Sequence, residues 1–295
     1  MARTEYYENP RHQLFSKRRL PVKAPKFVAC VLTVLSASAG VAHATDASSD
    51  LKRSCAGLPS VSVLRASLIA AANSPNALNG LQLLNWATVV NRDGIVCAVA
   101  FQGDDRGAQW PGSRVISAQK ANTANAFSLN KLALSTANLF SAVQPGGSLF
   151  GLQESNPVNT SVAYGGDSRL IGTSNDPMVG GKIGGVNVFG GGLALYDGSG
   201  TIIGGVGVSG DTSCRDHFVA WELRHVLKLD YVPSGVSGDP NRPDNIIFDI
   251  PTAQVAAPSP VPGPSTGGFG HPKCINTGNP AALDPIRHVS IASSH

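Results

Sequence analysis

Apolar residues recur at helical spacing from Val61 to Ala72 (Val61, Leu64, Leu68, Ala71), and Asn73-Ser74-Pro75-Asn76 ends the run. The spacing predicts a helix over 61–72. Trp86–Val90 and Ile95–Phe101 are β-rich and flank Asn91-Arg92-Asp93-Gly94, a hairpin signal. After a polar loop at 103–112, Ser113 to about Leu129 reads as the clearest helix. Ala118, Ala121, Ala124 and Phe127 share one side, between polar Gln119, Lys120, Asn122 and Asn125. Such small residues let a helix approach its neighbour closely. A further helix is predicted near Leu132–Val143, stopped by Pro145-Gly146-Gly147.

Residues 147–185 read as a long loop. Ile183–Phe189 and Gly191–Tyr196 are strand-like, and Asp197-Gly198-Ser199-Gly200 turns the chain into a strand over Thr201–Val208. Ser213-Cys214-Arg215-Asp216 matches a capping box with Ser213 as N-cap, predicting a helix to about Leu229. Beyond Val232, Pro and Gly dominate; Ile246-Ile247-Phe248 is a short strand candidate, and 251–273 is low-complexity. Strands joined by tight turns are antiparallel. The expected class is therefore α/β (α+β): an antiparallel sheet flanked by helices, in a profilin-like or PAS-like arrangement.

The N-terminus changes the composition. Residues 1–26 are basic, an apolar run follows from Phe27 to about Val41, and Ala42-His43-Ala44 is a small-x-small cleavage pattern. The reading is a signal peptide over 1–44 cleaved after Ala44, with a periplasmic or secreted product; an uncleaved anchor is the alternative. The run is shorter than the ~20 residues of a comfortable span, so no stable membrane span is expected after cleavage. Seven of the 23 Lys/Arg and two of the 19 Asp/Glu lie in this leader, leaving 16 against 17, a net charge near −1. The basic balance belongs to the leader, and the rest has no basic patch for nucleic acid. The expected organisation is the signal peptide 1–44, a flexible segment 45–57, a domain over 58–250 and a Pro/Gly-rich tail over 251–295.

Four cysteines remain: Cys55, Cys97, Cys214 and Cys274. An even count in an oxidising compartment predicts two disulfides, with three connectivities possible. We favour Cys55–Cys97 and Cys214–Cys274, the second stapling the tail to the domain. A metal site competes, but there is no C-x-x-C pair and the spacings are long.

Two motifs are decoys. Gly205-Val206-Gly207-Val208-Ser209-Gly210 is a literal GxGxxG with Asp230 twenty residues after Gly210. A dinucleotide fold needs that acid at the end of a second parallel strand, and here the preceding strand belongs to a hairpin. The expected role is close packing of a glycine-rich strand against the next helix. A Ser209, His217 and Asp216 triad fails because adjacent residues on a helix point in different directions.

Three ordered segments carry a resemblance: the hairpin ending Val90-Asn91-Arg92-Asp93-Gly94; Ala118-Gln119-Lys120-Ala121-Asn122-Thr123-Ala124-Asn125-Ala126-Phe127; and Gly190-Gly191-Gly192-Leu193 through Gly210, followed by Asp216. Over about residues 58–230 the chain resembles the GlcG/HbpS-like haem-binding (haem-degrading-domain) family. The second segment is similar to that family's A-x-K-A-x-T-A-x-x-F helix. The inserted loop 144–182, the C-terminal extension and the cysteines depart from a minimal member. The resemblance implies homo-oligomers and haem or related tetrapyrrole binding, as a scavenger or sensor accessory, with catalysis poorly established. It also implies Thr123 near haem iron.

Haem needs an apolar slot, axial ligands and cations for its propionates. The candidates are His217 or Thr123 as iron ligand and Lys120 and Arg114 as propionate partners. Taken singly, each reads as readily as a solvated or partly buried side chain. His225 lies eight residues beyond His217 and is more simply solvent-facing; Met178 is more simply a gap-filler. The leading expectation is an exported haem-binding protein. The alternatives are a structural or small-ligand module on the same fold without haem, and, more weakly, an oxidative or haem-degrading enzyme. No dedicated acid–base pair stands out, and no catalytic residue is assigned.

Overall fold

The structure is a computed structural model that describes residues 48–251 and 264–289. The expected signal peptide lies outside the described residues. The elements are α1 (Val61–Ala72), β1 (Trp86–Asn91), β2 (Val96–Phe101), α2 (Ser113–Ala126), α3 (Thr160–Tyr164), β3 (Gly192–Tyr196), β4 (Ile202–Ser209) and α4 (Ser213–Val226). The four strands form one antiparallel sheet in the order β2-β1-β4-β3. The α+β class and the antiparallel sheet expected from the two hairpins are present. A short helix at 48–54 precedes α1, and the Cys55–Cys97 disulfide ties it to β2.

Alternation along the strands divides the core. Ala87, Val89, Val206 and Val208 face α1 and α4, where they meet Leu64, Leu68 and Phe218. Trp86, Val90, Val96 and Val99 face α2 and its Val115, Ala118 and Ala121. All six residues of β1 are buried, because β1 is central and covered on both faces.

The α2 face explains the glycine-rich strand. A Cβ on Gly207 would sit 2.0 Å from the Ser117 carbonyl oxygen and 2.5 Å from Ala121 N; one on Gly205 would sit 2.4 Å from the Ala121 carbonyl oxygen. The alanines of α2 and the glycines of β4 thus allow helix backbone to lie directly on strand backbone. The glycine-rich strand does pack closely against a helix, but against α2, which precedes it, and not the α4 that follows.

Several elements differ from expectation. Over Leu132–Val143 the chain forms two 3-10 turns, Thr136–Leu139 and Ser141–Val143. Ser135 and Asn138 close a capping box, and the Thr136 hydroxyl accepts from Gly192 N (2.9 Å) and donates to the Phe189 carbonyl. These side-chain bonds compete with a regular helix. Ile183–Phe189 is no strand, since Gly184 and Gly185 take positive φ (62° and 77°) and break the extended run. Ile246-Ile247-Phe248 joins no sheet; Ile246 N bonds to side chains and the Ile247 carbonyl accepts from His271 N.

The last helix is capped by Thr212, whose side chain accepts from Arg215 N, and not by Ser213, which is already helical. It ends at Val226 instead of Leu229, and α2 ends at Ala126 with Phe127 as C-cap. The segment 264–289 folds back onto α4. Leu283 and Ile286 join the α1/α4 core, Trp221 Nε1 donates to the Asp284 carbonyl (2.8 Å), and Cys214–Cys274 locks the segment at the helix start. Asp230, the acid of the dinucleotide decoy, is held by His225 Nδ1 (2.8 Å) and by Arg287.

Gly207→Ala is expected to cost about 1–3 kcal/mol, since backbone on both sides resists the new methyl group. Gly112→Ala, whose Cβ meets nothing within 4 Å, is expected to stay within about 0.5 kcal/mol. Urea denaturation midpoints of the two variants check this.

Candidate functional site

The Gly190-Gly191-Gly192 stretch leads into β3 and passes close to Lys120 of α2 and to Asp216 and His217 of α4. A Cβ on Gly190 would lie 3.1 Å from His217 Cβ, one on Gly191 would lie 3.1 Å from Lys120 Nζ, and one on Gly192 would meet the Lys120 carbonyl at 2.5 Å. Backbone without side chains therefore lets Lys120 and Asp216 reach each other. Lys120 Nζ donates to Asp216 Oδ2 (2.8 Å) and to the Val208 carbonyl (3.1 Å). Asp216 Oδ1 accepts from Asp211 N (3.0 Å) and Asn85 Nδ2 (3.2 Å). Burial pushes the Asp216 carboxyl up to about 6, against the pull of Lys120.

Thr123 sits one turn beyond Lys120 on α2. Its hydroxyl donates to the Gln119 carbonyl (2.8 Å) and accepts from Asn187 N (2.9 Å). His217 is fully buried. Its Nε2 lies 3.1 Å from Ile246 N and 3.2 Å from Asn245 Oδ1, while Nδ1 has no partner among the described residues. Burial pulls its pKa down to about 3, so the ring is neutral at physiological pH. The Lys120–Asp216 pair thus forms a polar seam between α2 and α4, with Thr123 one turn along α2 and His217 next to Asp216 on α4, each bonded elsewhere.

Arg114 lies apart from that seam. It grips Asp176 through Nε (2.9 Å) and Nη2 and donates Nη1 to the Ala163 carbonyl (3.1 Å). Asp176 also accepts from Gly172 N and Met178 N, so the pair organises the 172–178 loop. Arg114 edges a cavity of about 290 Å³ shared with Trp86, Pro111, Tyr164 and Ile171. Met178 is fully buried in the α2-side core. His225 is partly buried against Asp230.

A haem requires an open apolar slot beside its ligand and free cations at its edge. The neutral His217 imidazole has the donor chemistry of an iron ligand. Lys120 and Arg114 are both committed to buried carboxylates, the Thr123 hydroxyl is used in both directions, and the cavity that Arg114 edges is lined by neither Lys120, Thr123 nor His217. In this conformation the four side chains do not fit a haem.

A larger cleft of about 480 Å³ opens elsewhere, lined by Phe140, Ala142, Pro145, Ile250 and Pro264, with Ser141, Gln144, Ser148 and Ser265 among its polar groups. Behind it, the buried His271 ring packs on Phe140 at 5.0 Å between centroids. Its Nε2 has no partner among the described residues, and burial holds its pKa at about 4. Sequence reasoning passed over this cleft, because its walls come from a turn read as helix and from a tail read as low-complexity. The one signal was His271 three residues before Cys274.

Residues 67–223, just over half of the chain, match the family described as "Haem degrading protein HbpS-like". The chain belongs to the HbpS-like family. Among solved structures it is similar to the crystal structure of a PduOC–haem complex, at 25% identity and a TM-score of 0.37, over 56% of this chain and 88% of that one. It is also similar to the Klebsiella pneumoniae protein ORFY, at 24% identity and a TM-score of 0.38, over 57% of this chain and 90% of that one. A third likeness is to HbpS, at 16% identity and a TM-score of 0.34, over 57% and 89%. With scores this low, membership rests on the family match. No curated protein matches the chain. No helix among the described residues is long and apolar enough to cross a membrane.

The seam makes two predictions. Lys120→Met strands a buried carboxylate and is expected to cost about 3–5 kcal/mol, much of it recovered by the Lys120→Met/Asp216→Asn double variant in a denaturation cycle. The second concerns pH. His217 and His271 fold with pKa values near 3 and 4, below the usual 6.5, so the unfolded chain takes up protons that the folded chain refuses. Their stabilisation is complete above about 6.5 and is lost as pH falls toward 4–3. Asp216, raised from 3.8 to about 6, opposes this with one proton between those values. Net stability is expected to fall from pH 7 to pH 5, and His217→Gln is expected to flatten the slope of unfolding free energy against pH.

Proposed function

We propose that this protein binds haem or a related tetrapyrrole, as an exported scavenger or sensor accessory. Membership of the HbpS-like family over residues 67–223 carries the reading. Two disulfides suit an oxidising compartment and so support export. The likeness to a solved haem complex accompanies the reading and adds no weight to it.

Within the chain, the cleft at Phe140 offers the open apolar slot that the seam lacks, with neither an iron ligand nor a cation among its described lining residues. Its volume falls in the range of ligand sites, roughly 300–1,000 Å³, and Phe140, Pro145, Ile250 and Pro264 give it apolar walls. Ser148 is among its polar lining, while Ser141, Gln144 and Ser265 already donate to the Gly270 carbonyl, the Phe140 carbonyl and Asp249 Oδ1 and would have to exchange those bonds for propionates. The seam is the second reading, favoured by the unpartnered Nδ1 of His217 and by the A-x-K-A-x-T-A helix that carries Lys120 and Thr123. It requires the Lys120–Asp216 pair to open. Arg114 would enter only by releasing Asp176. Homo-oligomerisation belongs to the same proposal and rests on the family alone.

Titration with haemin, followed at the Soret band, tests both readings. A saturable shift that Phe140→Asp abolishes and that His217→Ala and Thr123→Ala retain assigns the cleft. A shift lost in His217→Ala or Thr123→Ala and kept in Phe140→Asp assigns the seam. No shift in the unaltered protein removes haem binding and leaves a family fold with another ligand.

A further inference from the structure

Among the described residues, one group of three metal-donor side chains converges: Cys214, His271 and Cys274, with ligand atoms all within 4.8 Å of one another. Cys214 lies in the first turn of α4 and is fully buried, while Cys274 is partly exposed. Their Cα atoms are 6.0 Å apart and the sulfurs are joined. His271 Nδ1 lies 4.0 Å from Cys214 Sγ and donates to the Pro272 carbonyl (2.7 Å). His271-Pro272-Lys273-Cys274 spaces two donors three residues apart, the short spacing by which zinc sites take paired ligands from one loop. The sequence reading paired Cys214 with Cys274 but did not bring His271 to them.

We propose that reduction of the Cys214–Cys274 disulfide turns these three side chains into a site for one borderline-soft divalent cation of the zinc class. A dithiol reductant attacks the more exposed sulfur, that of Cys274. The S–S bond breaks, two electrons pass from the dithiol to the protein sulfurs, and the dithiol leaves as its own disulfide. The cation then displaces one proton from each thiol. His271 binds through the Nδ1 lone pair, its proton moving to Nε2 as the bond to the Pro272 carbonyl is given up. Two thiolates and a neutral imidazole around a divalent ion make a complex with no net charge, which suits a buried position. Thiolates and imidazole are the ligands zinc takes in structural sites, at about 2.3 Å and 2.0–2.1 Å. Cys55–Cys97 brings no third donor within reach among the described residues, so it serves as an internal control. The site stands independently of haem binding.

The test uses the intact chain, reduced anaerobically with a phosphine, which unlike a dithiol does not compete for metal. Zn²⁺ alone is titrated against a chromogenic chelator, with a pH indicator in weak buffer. The proposal expects one zinc bound per reduced chain with two protons released, and none bound by the oxidised chain. Co²⁺ in place of zinc is expected to give a thiolate-to-metal charge-transfer band. The Cys55→Ser/Cys97→Ser double variant is expected to keep the binding, and Cys214→Ser and His271→Gln to lose it. Should Cys214→Ser fail to fold, His271→Gln decides, since it retains the disulfide and its fold is checked in the oxidised state. Absence of zinc uptake by the reduced chain overturns the proposal, as does uptake undiminished in His271→Gln or uptake without proton release.

Discussion

The close approach of α2 to β4 is the constraint on which the other features depend. Gly205 and Gly207 leave no side chain between strand and helix, and the α2 backbone occupies that space. The approach fixes the depth of the helix against the sheet. It brings Lys120 to the end of β4, where its ammonium donates to the Val208 carbonyl and the Asp216 carboxylate. A buried ion pair of this kind adds little stability over an apolar pair, but it fixes one arrangement, because any shift of α2 leaves a charge unpaired. The glycines at 190–192 complete the arrangement by keeping the same space free from the β3 side.

That constraint explains why the A-x-K-A-x-T-A helix reads as a site and is built as a joint. Alanines set the distance, Lys120 locks α2 to α4, and Thr123 fastens α2 to the loop before β3 through Asn187. Each polar residue of the motif has a mechanical task in this conformation. Ligand binding then falls either to a joint that opens or to a surface formed elsewhere. The cleft at Phe140 is lined by residues of the 140–148 turn, by Ile250 and by the 264–268 stretch of the C-terminal segment.

Much of the fold was legible because its elements carry strong local signals. The 61–72 helix, both hairpins, the α2 helix and its small-residue face follow from periodicity, turn residues and composition. The failures have two causes, side chains that bond to backbone in place of a regular helix and glycines that take positive φ. Ser135, Asn138 and Thr136 divert a helix-like run into 3-10 turns. Gly184 and Gly185 break a run whose apolar pattern reads as extended. Thr212 caps α4 one residue earlier than expected, and Asp216 reaches back to Asp211 N with one oxygen while its other oxygen takes Lys120. The candidate site was legible as a set of residue types. Its state was not: pairing of Arg114 with Asp176, 62 residues away, and the meeting of Cys214 with His271 are long-range facts.

On the proposed haem-binding reading, the joint stays closed while the ligand sits in the cleft at Phe140. Hydrogen exchange of the protein with and without saturating haemin tests it most directly. The account predicts slowed exchange in residues 140–148 and 264–271, with 187–192 and 213–217 unchanged. Faster or slower exchange confined to 187–192 and 213–217 would show the joint opening around the ligand and would contradict it.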